Sequence, residues 1–371
     1  MDSDLSDSFN MNKLLLGPGP SNVPKRVLTA LSNNCISHLD PDFFSILDEI
    51  SENLKSLFKT ENETTFAISG TGSAGMEAAF ANLIEEGDKV LVFSCGLFGE
   101  RMAEVAERYG ANVVIKSKEW GEVFEYNEII NSIKEYDDLK IVSIVHAETS
   151  TGAHQPISDI GNFLKNRDII FLVDSVTSFT GTELNIDDWG IDVCYSGTQK
   201  CLNVPPGLSP ITFSEKALRK IRNRKQKVKS WYLDLNLLKN YLGEKRVYHH
   251  TAPVNMLYGL NEGLKICLEE GLEKRILRHK DTSEYFNRML HETGLKLFVK
   301  DNVFSLPMLK SIQLDKKISD GIRIDILKKH KIEIGGGLGH TKGLIWRVGF
   351  MGCNSNKESV DVFFETLKNY V

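Results

Sequence analysis

Short apolar runs alternate with segments of helical periodicity along the first half of the chain. The runs Thr65–Ile68 and Lys89–Phe93 flank residues 73–85, in which apolar side chains recur at the spacing of one helix face. Apolar strands separated by helices in this way are typical of a parallel sheet that is covered on both faces. The same pattern predicts helices over 101–109 and 126–136 and strands over 111–115, 141–145, 169–173 and 191–194.

The pattern changes at about residue 255, where helical periodicity becomes dominant. Two helical segments, 257–273 and 275–293, follow one another, and the second is rich in charged residues. We therefore expect a large α/β domain over 16–270 and a smaller α+β domain over 271–371, preceded by a polar N-terminal arm over 1–15. Strands of the smaller domain are predicted over 295–299, 311–314, 332–334 and 344–348.

Composition and charge narrow the class of protein. Of the 371 residues, 41% are hydrophobic and 26% are charged, as in ordinary soluble globular proteins. A formal net charge of −5 argues against nucleic acid or an anionic membrane surface as the main partner. No run reaches the roughly 20 apolar residues that are needed to span a bilayer. A small-molecule enzyme fits this composition better.

Targeting and cysteine patterns favour the cytoplasm. The first ten residues carry three Asp and no Lys or Arg, unlike a secretory signal or an Arg-rich transit peptide. The C-terminal Asn369–Val371 is not the usual peroxisomal tripeptide. The six scattered cysteines form no CxxC pair and have no His at zinc-ligand spacing. We therefore expect a cytoplasmic protein with reduced thiols and no metal site.

A glycine-rich turn, Ser69–Gly75, lies between a predicted strand and a predicted helix. Its three glycines formally satisfy the dinucleotide fingerprint G-x-G-x-x-G. A nicotinamide-linked dehydrogenase would also need a carboxylate after the next strand, but Lys89–Phe93 runs into Ser94–Gly96. From these residues alone two interpretations stay open: a helix N-terminus that binds one phosphate, or a tight turn capped by Ser or Thr.

Asp174 and Lys200 are the other candidates for chemistry. Asp174 follows the apolar strand 169–173, at the edge where open α/β sheets bind ligands, although an Asp after a strand is also a common turn residue. Lys200 lies in the loop Tyr195–Cys201, where a lone lysine is usually exposed, but a desolvated lysine can form a Schiff base. A phosphate cradle, a strand-end Asp and a loop Lys are together the parts that pyridoxal phosphate requires.

An ordered set of motifs extends this constellation over most of the chain. The segments are Gly17–Ser21, Ser69–Gly72, Glu148–Gly152, Val173–Val176, Ser196–Lys200, Pro205–Gly207, Tyr248–Thr251 and Arg347–Gly349. Each is weak alone, but their order and spacing resemble the alanine-glyoxylate / serine-pyruvate aminotransferase family, a class-V family of fold-type-I pyridoxal-phosphate enzymes. The resemblance implies a three-layer α/β fold with a mixed, mostly parallel sheet, and pyridoxal 5′-phosphate as the cofactor.

The resemblance also implies roles for single residues around the cofactor. Lys200 would form the Schiff base and later move a proton as a free amine, and Asp174 would hold the pyridine nitrogen protonated. Phe98 stands where many members stack Trp on the ring. Phenylalanine offers the same apolar face but lacks the indole N–H of tryptophan. The remaining residues implied to lie near the phosphate or the ring oxygen are Thr71, Gly72, Ser73, Thr149 and Gln199.

Further residues are implied to bind substrate or to serve a second subunit. Arg347 matches the arginine whose planar fork grips the substrate α-carboxylate, and Gly19 lies in a motif near the substrate. Tyr248 and Thr251 match residues that reach the phosphate of the neighbouring subunit's cofactor, so a homodimer is expected. Among the departures, many members carry His at the position of Ser73, and the pocket-lining segment differs as well.

The leading hypothesis is an aminotransferase that moves an amino group from alanine or serine to glyoxylate or pyruvate by a ping-pong cycle. Residues 36–39 replace the side chains with which family members line the pocket, which leaves the amino donor open. (S)-ureidoglycine-glyoxylate aminotransferase is an alternative, because residues 40–43, 119–121 and 199–202 also resemble it. A 3-hydroxykynurenine transaminase would need room for an aromatic side chain. A cofactor-free binding protein would leave the joint presence of Lys200, Arg347 and the cradle unexplained.

Overall fold

The computed structural model describes residues 13–243, 245–315 and 318–370. Most of the predicted N-terminal arm, residues 1–12, lies outside the described residues. Within the described part of the chain, no helix combines the length and apolar composition needed to cross a membrane.

The strands are short and are numbered in chain order. They are β1 (Leu14–Leu15), β2 (Thr64–Ser69), β3 (Lys89–Ser94), β4 (Asn112–Ser117), β5 (Leu139–Val145), β6 (Ala147–Glu148), β7 (Ala153–His154), β8 (Ile170–Asp174), β9 (Val193–Tyr195), β10 (Leu208–Phe213), β11 (Leu309–Gln313), β12 (Ile332–Glu333), β13 (Gly335–Gly336) and β14 (Ile345–Gly349).

The helices mostly lie between strands of the large sheet or follow it. They are α1 (Lys25–Leu31), α2 (Pro41–Phe58), α3 (Gly72–Leu83), α4 (Leu97–Arg108), α5 (Tyr126–Lys134), α6 (Ile160–Leu164), α7 (Glu215–Arg222), α8 (Leu235–Leu242), α9 (Val254–Glu270), α10 (Leu272–Thr293), α11 (Ile322–His330) and α12 (Lys357–Leu367).

A mixed sheet forms the centre of the large unit. Seven strands of the described chain pair in the order β2-β10-β9-β8-β5-β3-β4. The contacts among β9, β8, β5, β3 and β4 are parallel, whereas β10 runs antiparallel to both of its neighbours. The predicted α/β fold with a mostly parallel sheet is therefore confirmed. The carboxyl ends of β3, β5, β8 and β9 meet at one edge, where open α/β sheets bind ligands.

Helix α2 shows how local sequence and packing combine on one face of this sheet. The side chain of Asp40 accepts the backbone N–H of Asp42, and Pro41 occupies the first turn. The helix ends where Lys59 adopts a left-handed conformation with φ of 53°. Phe43 and Leu54 are among the α2 side chains buried in the large hydrophobic core. Helix α2 was not among the elements predicted from the sequence, although its cap and apolar spacing are visible there.

A second hydrophobic core lies under the C-terminal part of the chain. Strands β11, β14 and β13 form an antiparallel sheet that packs with α10 and α12. The predicted strand at 295–299 is wrong: only Leu297 makes an isolated bridge, to Ile312. Helix α9 ends at Glu270, three residues before its predicted end, because Gly271 takes a φ of 84° that suits glycine. The predicted domain boundaries themselves stay predictions.

The N-terminal residues belong with this second core. Leu14–Leu15 pair in parallel with Ile332–Glu333, and Leu16 is buried in the second core. The chain then turns through Gly17–Ser21 toward the large sheet, where the backbone N–H of Ser21 donates to Gln199 O. This crossing brings the glycine-proline motif to the edge of the sheet that holds Lys200.

Candidate active site

A cavity of about 220 Å³ lies at the carboxyl edge of the large sheet. Its walls come from the turn into α3, the first turns of α4, the ends of β5 and β8 and the loop after β9. Eight of the residues singled out from the sequence line it: Thr71, Gly72, Ser73, Phe98, Thr149, Asp174, Gln199 and Lys200. Segments about 130 residues apart in sequence are therefore brought to one cavity by the sheet.

The first turn of α3 forms one end of the cavity. Thr71 is the N-cap residue, and its side chain makes no capping hydrogen bond. A Cβ at Gly72 would lie 3.1 Å from Val176 Cγ2 and 3.6 Å from Ser196 O, so a side chain there would crowd the cradle. The amide oxygen of Gln199 is buried and has no partner in the described structure. Free helix N–H groups and hydroxyls fit a phosphate at this end, and the Gln199 amide can donate to it through its NH2 group.

Asp174 ends β8 and also lines the cavity. Its Oδ1 accepts the N–H of Val176 at 2.9 Å, and its Oδ2 accepts the hydroxyl of Tyr195 at 2.8 Å. Burial raises the pKa of Asp174 to about 6, against the opposing effects of these two donors and of Lys200 and Arg101. A carboxylate held in this way can accept a hydrogen bond from a protonated ring nitrogen.

Lys200 lines the same cavity and is buried, with 8% of its surface exposed. Its Nζ donates to the carbonyl oxygen of Pro18, and a Cβ at Gly19 would lie 2.9 Å from that Nζ. Burial first, and then the charge of Arg347, lower the pKa of Lys200 to about 8. The predicted substrate-side residue Gly19 therefore lies directly beside the amine, where its φ of 104° and lack of a side chain leave room.

Arg347 comes from β14, which belongs to the part of the chain around the second hydrophobic core, here called the second unit, and it reaches Thr149 in the wall of the cavity. Its Nε donates to Gly336 O at 2.8 Å and its Nη1 donates to Thr149 O at 3.1 Å. No carboxylate of the described residues pairs with it within salt-bridge distance, although Glu148 and Glu333 act on it electrostatically. Burial lowers the pKa of Arg347 to about 10. The donors left over can hold a carboxylate between the two units.

Tyr248 and Thr251 lie outside the cavity of this chain and are exposed. Tyr248 has 58% of its surface exposed and packs its ring against His38, with the centroids 5.5 Å apart. His249 and His250 join an aromatic cluster with Trp231 and Tyr232. Within the described residues, no group of three or more His, Cys, Asp or Glu side chains could hold a metal ion.

Three residues that contribute to the site were not singled out from the sequence. Arg101 lines the cavity, and its guanidinium carbon lies 5.1 Å from the centre of the Phe98 ring. It is three residues after Phe98 in α4, so helical spacing could have found it. The contribution of Tyr195 to the site is recognised only from its hydrogen bond to Asp174 in the structure. Glu148 accepts the N–H groups of Phe98 and Gly99 at the start of α4.

Known proteins resemble this chain over nearly its whole length. The profile of the class-V aminotransferases matches residues 14–362. The alanine-glyoxylate aminotransferase of Oryctolagus cuniculus is 40% identical over 354 residues, which cover 94% of this chain and 90% of that protein. The (S)-ureidoglycine-glyoxylate transaminase of Bacillus subtilis is 39% identical over 367 residues, which cover 94% of this chain and 88% of that protein.

A solved structure agrees with these sequence comparisons. The crystal structure of an alanine-glyoxylate aminotransferase from Nostoc sp. superposes with a TM-score of 0.94 at 44% identity, covering 96% of this chain and 95% of that one. The cradle, the buried carboxylate and the buried amine fit the phosphate, ring nitrogen and aldehyde of pyridoxal phosphate. The chain therefore belongs to the class-V aminotransferases, and its cofactor is pyridoxal 5′-phosphate.

Proposed function

We propose that this aminotransferase moves the amino group of a small amino acid, alanine or serine, to glyoxylate or pyruvate by a ping-pong cycle. The observation that carries the proposal is the position of Arg347, which donates to Thr149 O in the wall of the cavity, keeps further donors for a ligand and is close enough to the buried amine of Lys200 to lower its pKa. The donors of one guanidinium, that of Arg347, suit a substrate that has a single carboxylate. The relatives named for alanine and glyoxylate support the same substrates.

Different residues of the chain would bind different parts of the cofactor. Pyridoxal phosphate, when bound, supplies an aldehyde and an electron-withdrawing ring. Thr71, Gly72 and Ser73 would hold its phosphate at the N-terminus of α3. Asp174 would keep a negative charge against the ring nitrogen, and Phe98 would present an apolar face to the ring.

Lys200 and Arg347 act on the reacting part of the substrate. Because its pKa is about 8, a useful fraction of Lys200 is neutral near pH 7.5 and can accept a proton from a carbon acid. Arg347 holds the α-carboxylate and so fixes the direction in which the α-hydrogen points. The two positive groups stay apart from one another because Arg347 is anchored to Gly336 and Thr149.

A panel of amino donors tests the substrate proposal. The purified holoenzyme is assayed with alanine, serine, 3-hydroxykynurenine and (S)-ureidoglycine, each with glyoxylate and with pyruvate. We expect the largest kcat/KM with alanine or serine. Fast turnover with ureidoglycine and none with alanine or serine would overturn the proposal in favour of the second candidate, which the similarity to the Bacillus subtilis enzyme supports.

We further propose that the protein is a homodimer in which each subunit completes the other's cofactor site. Tyr248 and Thr251 are exposed and lie outside their own cavity, while the hydroxyl of Tyr232 donates to Ser69 O at the edge of the cradle. The aromatic surface next to the cradle includes Trp231, which is 63% exposed. Such a surface is unusual on a monomer and suits a second copy of the chain.

A charge placed in this surface tests the dimer. Trp231→Glu is expected to shift the mass measured by light scattering from dimer to monomer and to weaken cofactor binding. Val303→Glu is the control, because Val303 is 79% exposed on the second unit. A wild-type monomer that is fully active would contradict the proposal.

We also propose a cytoplasmic location, supported by six cysteines that are all free thiols and tested by cell fractionation.

A further inference from the structure

The short strand β9 places a tyrosine directly beside the buried carboxylate of the cofactor cavity. Strands β8 and β9 are parallel, and their register pairs Asp174 with Tyr195. Paired residues of neighbouring strands point to the same face of a sheet, so both side chains reach the same side. The N–H and Oγ of Ser175 both donate to Tyr195 O at 2.9 Å and hold the tyrosine backbone in this register.

Among the described residues, the hydroxyl of Tyr195 has one hydrogen-bond partner, the Asp174 carboxylate. It donates to Asp174 Oδ2 at 2.8 Å and makes no other hydrogen bond within the described residues. Tyr195 is fully buried and Asp174 is 3% exposed, so the hydrogen bond between them is shielded from bulk water. Since phenylalanine would fill the same apolar space, the hydroxyl is the part of Tyr195 that packing does not explain.

We propose that Tyr195 is a positioning residue that fixes the orientation of the Asp174 carboxylate and keeps it ionised against the ring nitrogen of the cofactor. With Val176 N–H on Oδ1 and the phenol on Oδ2, each carboxylate oxygen has one donor from the protein. The carboxyl plane is therefore held before the cofactor arrives. The inference concerns the cofactor and does not depend on which amino acid is the donor.

The charge of Asp174 depends on a balance of neighbouring groups. Burial favours the neutral acid, and Glu148 acts in the same direction as a second buried carboxyl group. Lys200 and Arg101 favour the ionised form, and so does the donor from Tyr195. Cys194, the preceding residue of β9, also interacts electrostatically with Asp174. Its thiol keeps the proton, because burial raises its pKa.

The phenol is suited to remain a donor throughout the working pH range. Burial and the nearby Asp174 raise the pKa of Tyr195 well above its usual value. A hydroxyl that stays protonated cannot exchange roles with the carboxylate, so the proton stays on the tyrosine and the negative charge on the aspartate. A neutral Asp174 would lose its attraction for a protonated ring nitrogen.

The substitution Tyr195→Phe tests this role through cofactor binding. The dissociation constant of pyridoxal phosphate is measured by titrating apoprotein between pH 5 and pH 9. We expect affinity to fall roughly 10- to 100-fold, the effect of losing one hydrogen bond to a charged group. The pH below which binding weakens should also move upward, because Asp174 loses a donor that lowers its pKa. The titration of the cofactor's own phosphate is common to both proteins and cancels in the comparison.

Two controls separate positioning from a loss of packing. Tyr285→Phe removes a hydroxyl that donates to Asp361 in the second unit, and it should leave cofactor affinity unchanged. In an Asp174→Asn background, Tyr195→Phe should change cofactor affinity by less than about threefold, because Tyr195 acts on the cofactor only through the Asp174 carboxylate. Thermal unfolding of the apoproteins reports folding separately. Equal affinity and an unchanged pH profile for Tyr195→Phe, or a full additive loss in the Asp174→Asn background, would overturn the inference.

Discussion

Arg347 donates through its Nη1 to the backbone carbonyl of Thr149 at 3.1 Å, which links the second unit to the wall of the cofactor cavity. With Nε donating to Gly336 O as well, the remaining N–H donors of the guanidinium are left for a ligand. Because β14 and the hairpin β6–β7 belong to different parts of the chain, the bond also fixes how the substrate arginine faces the large sheet.

Arg347→Lys is predicted to damage substrate binding and to spare the cofactor. Lysine keeps the charge but cannot hold the Gly336 and Thr149 carbonyls and a carboxylate together. We expect kcat/KM for the amino donor to fall about 100-fold, equivalent to about 2.7 kcal/mol. Steady-state kinetics and a pyridoxal phosphate titration measure the two effects. Arg323→Lys, at a nearby arginine paired with Asp320, is the control. A variant with unchanged KM and kcat would refute the role.

Glu148 is predicted to stabilise the start of α4 and with it the position of Phe98. Its carboxylate accepts the N–H groups of Phe98 and Gly99 on one oxygen and two donors from Ser150 on the other. Burial raises the pKa of Glu148 to about 7, and Glu148→Gln keeps an acceptor in place. We expect Glu148→Ala to lower the free energy of unfolding by about 2–4 kcal/mol and Glu148→Gln to lower it by less. Urea denaturation of the apoproteins measures both; equal stability of the alanine variant and wild type would contradict this role.

The prediction for Asp174 concerns the pH dependence of apoprotein stability. The folded-state pKa of Asp174, about 6, lies above its usual value of 3.8, so the native state binds the proton more tightly than the unfolded chain. The stabilising contribution of the neutral acid is complete below about pH 4 and is lost as the pH rises through 6. Asp174→Asn should therefore make the apoprotein more stable by about 2–3 kcal/mol at pH 8, and the gain should vanish near pH 4. Denaturant unfolding at both pH values measures this, and a gain that is equal at both would contradict the assignment.

Sequence patterns located most of the large sheet because its central strands are buried on both faces and are apolar throughout. Strands β3, β5 and β8 were predicted within two residues at each end. Strand β10 was not located, because Pro210 lies within it and proline argues against a central strand. The carbonyl of Pro210 still accepts the N–H of Ser196, so the ladder lacks only the N–H that proline does not have.

The contacts within the site depend on pairing that a single sequence does not display. Asp174 and Tyr195 are 21 residues apart, and only the register of β8 and β9 shows that they meet. The cap on α4 comes from Glu148, about 50 residues away, so the local sequence at Gly96 gave no sign that the helix begins at Leu97. In contrast, Lys200 and Arg347 were recognisable from the order of their motifs.

Lys200 is distinguished from the other buried lysine by its place and not by its pKa. Burial lowers the pKa of Lys310 to about 7, below that of Lys200, but Lys310 donates to Ser305 and does not line the cofactor cavity. Only a lysine that faces the cavity can reach the cofactor's aldehyde. A change at Lys310 should therefore leave the covalent attachment of the cofactor intact.

The site of covalent attachment tests the central claim most directly. Holoenzyme is reduced with borohydride, digested and analysed by mass spectrometry for the lysine that carries the pyridoxyl group. The account predicts one adduct, on Lys200; it also predicts that Lys200→Ala abolishes the adduct and lowers transamination at least about 1000-fold, while Lys310→Met keeps both. An adduct on Lys310 or another lysine, or full activity of Lys200→Ala, would contradict the account.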